Sequence, residues 1–359
     1  MTAKCNNITL EMIKEKIHPA DAKSITQARH RWISVAKPLF SLGKLEDAVI
    51  RIAGMKGTPE FSLKKRGLII MCADNGVVEE GVTQTGQEVT AAVADNFTKR
   101  AASVVIMSEV AGVDVFPVDI GMAVDVPSVT KAGQKVAYGT KNMAKEPSMT
   151  RNEVWQAIET GIRTVKELEK QGYDILATGE MGIGNTTTSS AVAAVLLGKP
   201  VEEVTGKGAG LTSEGLEKKI SVIKQAISLH QPDKEDVLDV LGKVGGLDIA
   251  GLTGVFLGGA MYRLPVVIDG FISGVAALCA ARLVPDSRDY MLSSHISREP
   301  AGQMLLDALD ISPFLACDMF LGEGSGAVAL FPLLEMGLQV YLQMSTFEET
   351  GIEKYEVLK

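Results

Sequence analysis

Two carboxylates in this chain sit among glycines, where an acid gains little for folding. Glu323 lies between Gly322 and Gly324 in LGEGSGA (321–327), immediately before an apolar stretch. A carboxylate there either accepts amide hydrogen bonds as a helix cap or is held in place as a general base. Glu180 lies in ATGEMGIGNTTTSS (177–190), between the apolar runs YDIL and AVAAVLL. In that segment Gly179, Gly182 and Gly184 allow the backbone to approach a ligand closely. Asn185 and the run Thr186–Thr188 supply polar groups where a helix begins, and a helix N-terminus favours an anion. An acid beside an anion site is repelled, so either the loop is only a capped helix behind a tight turn or it faces two kinds of group. No Gly-Lys-Ser/Thr follows and the spacing is not GxGxxG, which disfavours a nucleotide triphosphatase or dinucleotide site.

Other segments carry weaker signals. In TGKGAGLTSEGLEKK (205–219), Lys207 stands between Gly206 and Gly208, and Lys218 and Lys219 follow on a helix expected to begin near Thr212. Such lysines hold a phosphate as point charges or are simply solvated. ADNGVVEEGVTQTGQEVT (73–90) offers Thr83, Gln84, Thr85 and Gln87, neutral groups suited to orienting an uncharged ring, or else forms a solvated lid. PVVIDGFISG is similar to the acidic strand–loop that binds metal–pyrophosphate in many phosphoribosyltransferases, but it holds one acid, Asp269, and not an adjacent pair. The reading favoured for Asp269 is a strand-end cap. His295 is expected to be a satisfied strand-end histidine.

These residues need a scaffold, and the pattern of the chain supplies one. Residues 1 to about 65 are helical and polar. From Gly67 short apolar runs alternate with helical stretches, as in a parallel α/β sheet. The expected strands are 67–73, 113–119, 173–178, 264–269 and 290–294. The stretch 152–170 places Val154, Ile158, Ile162, Val165 and Leu168 on one helical face, with a capping box at Thr150 and Glu153. The segments 247–260 and 271–283 are Gly- and Ala-rich, which suits close packing. The segment after Gly324 is expected to be a helix interrupted near Pro332. The chain thus divides into a large α/β domain, 66–331, and a small helical domain from both ends, 1–65 and 332–359. Ligands bind outside the carboxyl ends of parallel strands, so Asp74, Asn75, Asp119, Glu180, Asp269 and His295 are expected to converge on one cavity.

With 359 residues, 46% apolar content and a formal net charge of -8, the chain is globular and disfavours nucleic acid or an anionic membrane as partner. The four cysteines, Cys5, Cys72, Cys279 and Cys317, are far apart, which fits a reducing cytoplasm. The four histidines show no metal-ligand spacing, and the apolar runs are expected to be too short or too interrupted to cross a bilayer.

ADNGVVEEGV, DIGM, TGEMGIGNTTTSSA, GKGAGL, GGLDIAGLTGVFLGGA, VIDGFISGVAAL and LGEGSGA occur in this order over about Arg31 to Phe347. Together they resemble the nicotinate-nucleotide:dimethylbenzimidazole phosphoribosyltransferase family. The resemblance implies a parallel Rossmann-like sheet with helices on both faces, a small helical domain from both termini, and a homodimer whose partner helps close the site. It implies transfer of ribose 5-phosphate from nicotinate mononucleotide to a benzimidazole nitrogen, for assembly of the cobamide nucleotide loop, with no cofactor and no metal. It gives Glu323 the role of general base and implicates Glu180 in activity. Gly182, Gly184, Asn185, Thr186, Gly206, Lys207, Gly208, Lys219, Leu321 and Gly322 then hold the nucleotide and its phosphate, and Thr85, Val93 and Met181 the incoming base. Thr85 stands where family members carry a serine, and Val93 where they carry a glutamine that reaches the base, so a relaxed choice of base is expected. Two alternatives remain open on the sequence: a non-catalytic nucleotide sensor, which needs the phosphate loop but not Glu323, and a Mg²⁺-dependent phosphotransferase.

Overall fold

The computed structural model describes residues 8–355. Its centre is a parallel sheet of β1 (Arg66–Ala73), β2 (Val113–Gly121), β3 (Ile175–Met181), β4 (Val266–Ile268) and β5 (Met291–Ser293), in the order β2-β1-β3-β4-β5. β1 is buried along nearly its whole length, which explains why GLIIMCA is apolar without alternation. Leu68 packs toward Gly324 while Met71 packs toward Gly251, so helices cover both faces. All five expected strands form. β3 starts two residues late and runs on through Glu180 and Met181, which pair with Met71 and Cys72 of β1. Glu180 therefore sits on the last rungs of the sheet and not in a loop.

The expected 152–170 helix is Arg151–Lys170, with the capping box at Thr150 and Glu153 in place. Its apolar face meets the Leu247–Met261 helix at glycines. A methyl group on Gly161 would collide with the Gly251 carbonyl and come within 2.7 Å of the Val255 amide, and one on Gly254 would collide with the Ile158 carbonyl. The Gly-rich sequence is thus a close backbone crossing.

Two expectations about the C-terminal helix are corrected. It runs unbroken as Ser325–Gln343 with Pro332 inside it. The missing Pro332 amide costs one helical hydrogen bond, while burial of Leu330, Phe331, Leu334 and Leu338 holds the helix on both sides of it. The boundary expected at 331/332 falls inside this helix. It is also 19 residues long with a mean hydropathy of 1.3, enough by length and composition to cross a membrane. In the fold it packs against β3 and the Ser103–Ala111 and Lys44–Lys56 helices.

The chain ends meet around its second half. Trp32, on the Ala22–Ser34 helix, stacks on Tyr341 with ring centroids 5.3 Å apart. Val35 forms an antiparallel bridge with Thr346, and the Arg31 guanidinium donates to the Met344 carbonyl at 2.9 Å. Residues 1–7 and 356–359 of the expected small domain, Cys5 among them, lie outside the described residues. Cys72, Cys279 and Cys317 are free.

The helix crossing yields a stability prediction. Gly161→Ala and Gly254→Ala should each destabilise the protein by roughly 1–3 kcal/mol through overpacking. Urea denaturation should show a lower midpoint at unchanged slope.

Candidate active site

The strand order reverses direction at β1 and β3, the switch point where doubly wound sheets hold ligands. Two adjoining cavities open there and along the carboxyl ends of β3, β4 and β5. The first, about 220 Å³, is walled by Glu180 and Met181, Asp269 to Ser273, His295, Glu299 and the turn Leu321–Glu323. The second, about 130 Å³, is walled by Val82 to Thr85, Lys207 and Leu211. Gly182, Ile183, Asn185, Thr186 and Ala209 form the partition and face both.

The first cavity is rich in acids. Gly322, Glu323 and Gly324 all have positive φ, at 84°, 61° and 95°. Two of the three are glycines for that reason, and Glu323 is the exception, a conformation costing about 1–3 kcal/mol that recurs at functional sites. Its carboxyl is raised above the ordinary value by burial, opposed by the Val104 amide, and Glu323 Oε2 has no hydrogen-bond partner. Glu180 is pushed up to about 8, first by burial and then by the charge of Asp248; Asp269 and Glu323 add to the effect. The Asn185 side-chain amide bridges two of these acids, donating to Glu180 and, at 3.1 Å, to Asp248. Asp248, raised to about 6 mainly by burial, was not anticipated, because its partner Asn185 lies far from it in sequence. Among the described residues no group of three or more His, Cys, Asp or Glu could hold a metal ion.

On the other side of the partition lies a cation. The Thr212-capped helix Ser213–His230 carries Lys219, which is 1% exposed. Its ammonium donates to Thr186 Oγ1 at 2.9 Å and to the Gly206 carbonyl at 3.1 Å. Burial pushes Lys219 down to about 8, opposed by Glu299, itself raised chiefly by burial. Lys207 is exposed and lines the second cavity, whereas Lys218 is exposed on the helix. Gly208 has a positive φ of 54° directly over Thr186 and Lys219. Thr186, Gly206, Gly208 and Lys219 thus come together as an anion site, and a bound phosphate would keep Lys219 charged.

The glycines of ATGEMGIGN have a different purpose from the one expected. A methyl on Gly179 would collide with the Glu323 carbonyl, one on Gly182 with the Ala73 carbonyl, and one on Gly184 would crowd Val78 and Asn75. They let other segments of the chain close in, and so build the walls of the site. The expected convergence also splits. Glu180, Asp269 and His295 line the first cavity. Asp74 accepts from the Ala123 amide at 2.8 Å, and Asp119 accepts from the Met122 amide and pairs with Lys135 at 3.1 Å. Those two acids fasten the following loop instead. Asn75 sits behind the second cavity, donating to the Ile183 carbonyl at 3.4 Å.

Of the expected base contacts, Thr85 and Met181 line the cavities, and Val93 does not. Val93 is half-buried on the Glu88–Asn96 helix, packed against the core. Thr90, three residues earlier, does reach the site, accepting from the Ile183 amide at 3.1 Å. Gln84 donates to the Gly210 carbonyl and ties the loop after β1 to the glycine-rich loop.

The comparisons with known proteins agree with this geometry. A family model described as phosphoribosyltransferase matches residues 17–352. The nicotinate-nucleotide–dimethylbenzimidazole phosphoribosyltransferase of Ruminiclostridium cellulolyticum is 47% identical over 352 residues, covering 98% of this chain and 100% of that protein. The chain belongs to this family. The phosphoribosyltransferase of the same name from Chloroflexus aggregans is 47% identical over 339 residues, 94% of this chain and 96% of its own. The crystal structure of the phosphoribosyltransferase from Thermus thermophilus matches with a TM-score of 0.86 at 36% identity, covering 93% of this chain and 100% of that one. The fold resemblance expected from the motifs therefore holds across nearly the whole family domain.

The raised carboxyl of Glu180 makes a prediction. A carboxyl whose pKa is higher folded than unfolded binds more protons when folded, so its stabilising contribution is complete below about pH 4.5 and is lost as pH rises toward 8. Glu180→Gln should therefore melt higher than the parent at pH 8.5, with the difference vanishing near pH 4.

Proposed function

We propose that this protein transfers ribose 5-phosphate from nicotinate mononucleotide to a nitrogen of 5,6-dimethylbenzimidazole or a related base. The products are nicotinate and α-ribazole 5′-phosphate, for cobamide nucleotide-loop assembly. The observation that carries the reading is Glu323, held left-handed between two glycines with an unpartnered oxygen, on an acidic cavity that shares a wall with the Lys219–Thr186 anion site.

The chemistry matches those groups. The nicotinate ring nitrogen is positively charged while bonded to ribose and leaves neutral, so its departure needs no general acid. The incoming azole must lose its N–H proton, so one general base is needed, and burial has raised Glu323 toward the useful range. Positive charge grows on the ribose as the bond to nicotinate breaks, and Glu180 supplies a carboxylate to oppose it. The donor is a β-nucleotide and the product an α-nucleotide, which calls for a single inverting displacement with donor and acceptor on opposite faces of the sugar. Thr186, Gly206, Gly208 and Lys219 take the 5′-phosphate, aided by Gly182, Gly184, Asn185 and Lys207 around the partition. Thr85 and Met181 border the base.

A homodimer and a cytoplasmic setting complete the reading. Exposed Ile106, Val110 and Met336 lie on two helices that pack together, which supports a homodimer. The free cysteines fit a cytoplasmic setting.

Incubation with nicotinate mononucleotide and a benzimidazole in the presence of EDTA should release nicotinate, read by chromatography. Glu323→Gln should lower kcat by roughly 10²–10⁴-fold while the nucleotide still binds; a near wild-type rate would remove Glu323 as the base. The wall that meets the base is made of Val82, Thr83, Gln84, Thr85 and Leu211, neutral groups without a fixed charge to read ring substituents. Benzimidazole should therefore replace dimethylbenzimidazole with a loss of about 10–200-fold at most in kcat/KM, the range set by lost methyl contacts. Strict use of the dimethylated base would contradict this.

A further inference from the structure

One acid of the first cavity has no place in the chemistry above. Asp269 follows β4 directly, is 4% exposed, and sends its carboxylate across to the turn that carries Glu323. Its Oδ2 accepts from the Gly324 amide at 3.2 Å, and its Oδ1 accepts from the Gly326 amide at 2.7 Å and the Ala327 amide at 3.0 Å. These amides open the Ser325–Gln343 helix, whose N-cap, Gly324, has no side chain to cap it. Asp269 is thus a helix cap supplied by another strand. Its own amide donates to Ser273 Oγ at 3.2 Å, and its carbonyl accepts from Ser294 Oγ at 2.7 Å, so it is held from β4 and β5 together.

From this arrangement we infer that Asp269 is a positioning residue for the reaction. Its carboxylate fixes the left-handed turn 322–324 through three amides and so aims Glu323 into the cavity. This rests on Glu323 being the base. A left-handed Glu is strained by about 1–3 kcal/mol and persists only where its surroundings over-determine it. The three amide bonds on one side, and the contact of Gly179 with the Glu323 carbonyl on the other, are what over-determine it. The charged and titratable groups facing Asp269 are Glu323 from the turn, Glu180 from β3 and His295 from the segment after β5. His295 is held below its ordinary value by burial, so Asp269 has no cationic partner there and its charge is satisfied by the amides.

The test separates geometry from charge. Asp269→Asn keeps the shape but cannot accept from all three amides, and Asp269→Glu keeps the charge on a longer arm. Each is made in the parent and in the Glu323→Gln background. In the parent, both variants should lose roughly 10²-fold in kcat, the order expected for a misplaced catalytic group, with KM for nicotinate mononucleotide nearly unchanged. In the Glu323→Gln background neither should cause a further loss, because a residue acting through Glu323 has nothing left to position. Asp269→Asn should also move the acidic limb of the kcat–pH profile to lower pH, since it removes a negative charge facing Glu323. Retained nucleotide binding and melting temperature show that the variants are folded. A wild-type rate for either variant in the parent, or an equal loss in both backgrounds, overturns the inference and leaves the base reading intact. A wild-type rate for Glu323→Gln alone fails the base reading, and the two failures appear in different enzymes.

Discussion

Three amides of one helix terminus point at a single carboxylate, that of Asp269, and the remaining geometry of the site is arranged around that convergence. It ties the end of β4 to the start of the Ser325–Gln343 helix, two segments more than fifty positions apart in the chain. Once they are joined, the turn 322–324 lies flat against β3, and only a glycine at 179 leaves room for it. β3 in turn delivers Glu180 at the same level, because the strand is still paired with β1 there. A backbone constraint thus decides where the acids stand, and the acids are tolerated because the backbone is satisfied.

The cost of that arrangement is electrostatic. Glu180, Asp248, Asp269 and Glu323 are gathered with amides and Asn185 as partners in place of cations, while the buried cation, Lys219, is on the far side of the partition. Such a site is destabilised when empty and has most to gain from a ligand with the opposite polarity. A nucleotide with a cationic ring at one end and a phosphate at the other has that polarity. The glycines of the partition matter here by thinning it, so that groups of opposite sign act on one small molecule from two directions.

Much of the scaffold was legible from sequence. The five strands and the Arg151–Lys170 helix follow from apolar runs and from a 3.6-residue period closed by a capping box. Thr212 could be read as a cap because its partner, the Gly215 amide, is local. What could not be read were contacts made across the sheet. Asp248 meets Asn185, Asp269 meets Gly324, and Gly161 meets Gly251 only after the helices are packed. Strand-end polarity misled for Asp74 and Asp119, since an acid that fastens the next loop has the same sequence signature as one that lines a cavity. Val93 misled for a related reason: position along a motif does not report which way a helix turns its side chains. Pro332 shows the converse, where burial on both flanks overrides a strong local signal.

The unbroken Ser325–Gln343 helix has a mechanical consequence. Nineteen residues of helix span roughly 28 Å at 1.5 Å per residue. One end begins at the turn bearing Glu323, and the other is clasped by Trp32, Arg31 and Val35 from the opposite end of the chain. A stiff rod pinned at both ends transmits tilt instead of absorbing it. How the first and last segments of the chain seat against each other is therefore felt as an angle at the carboxylate, and surface changes near Tyr341 act on the same lever as changes beside the sugar.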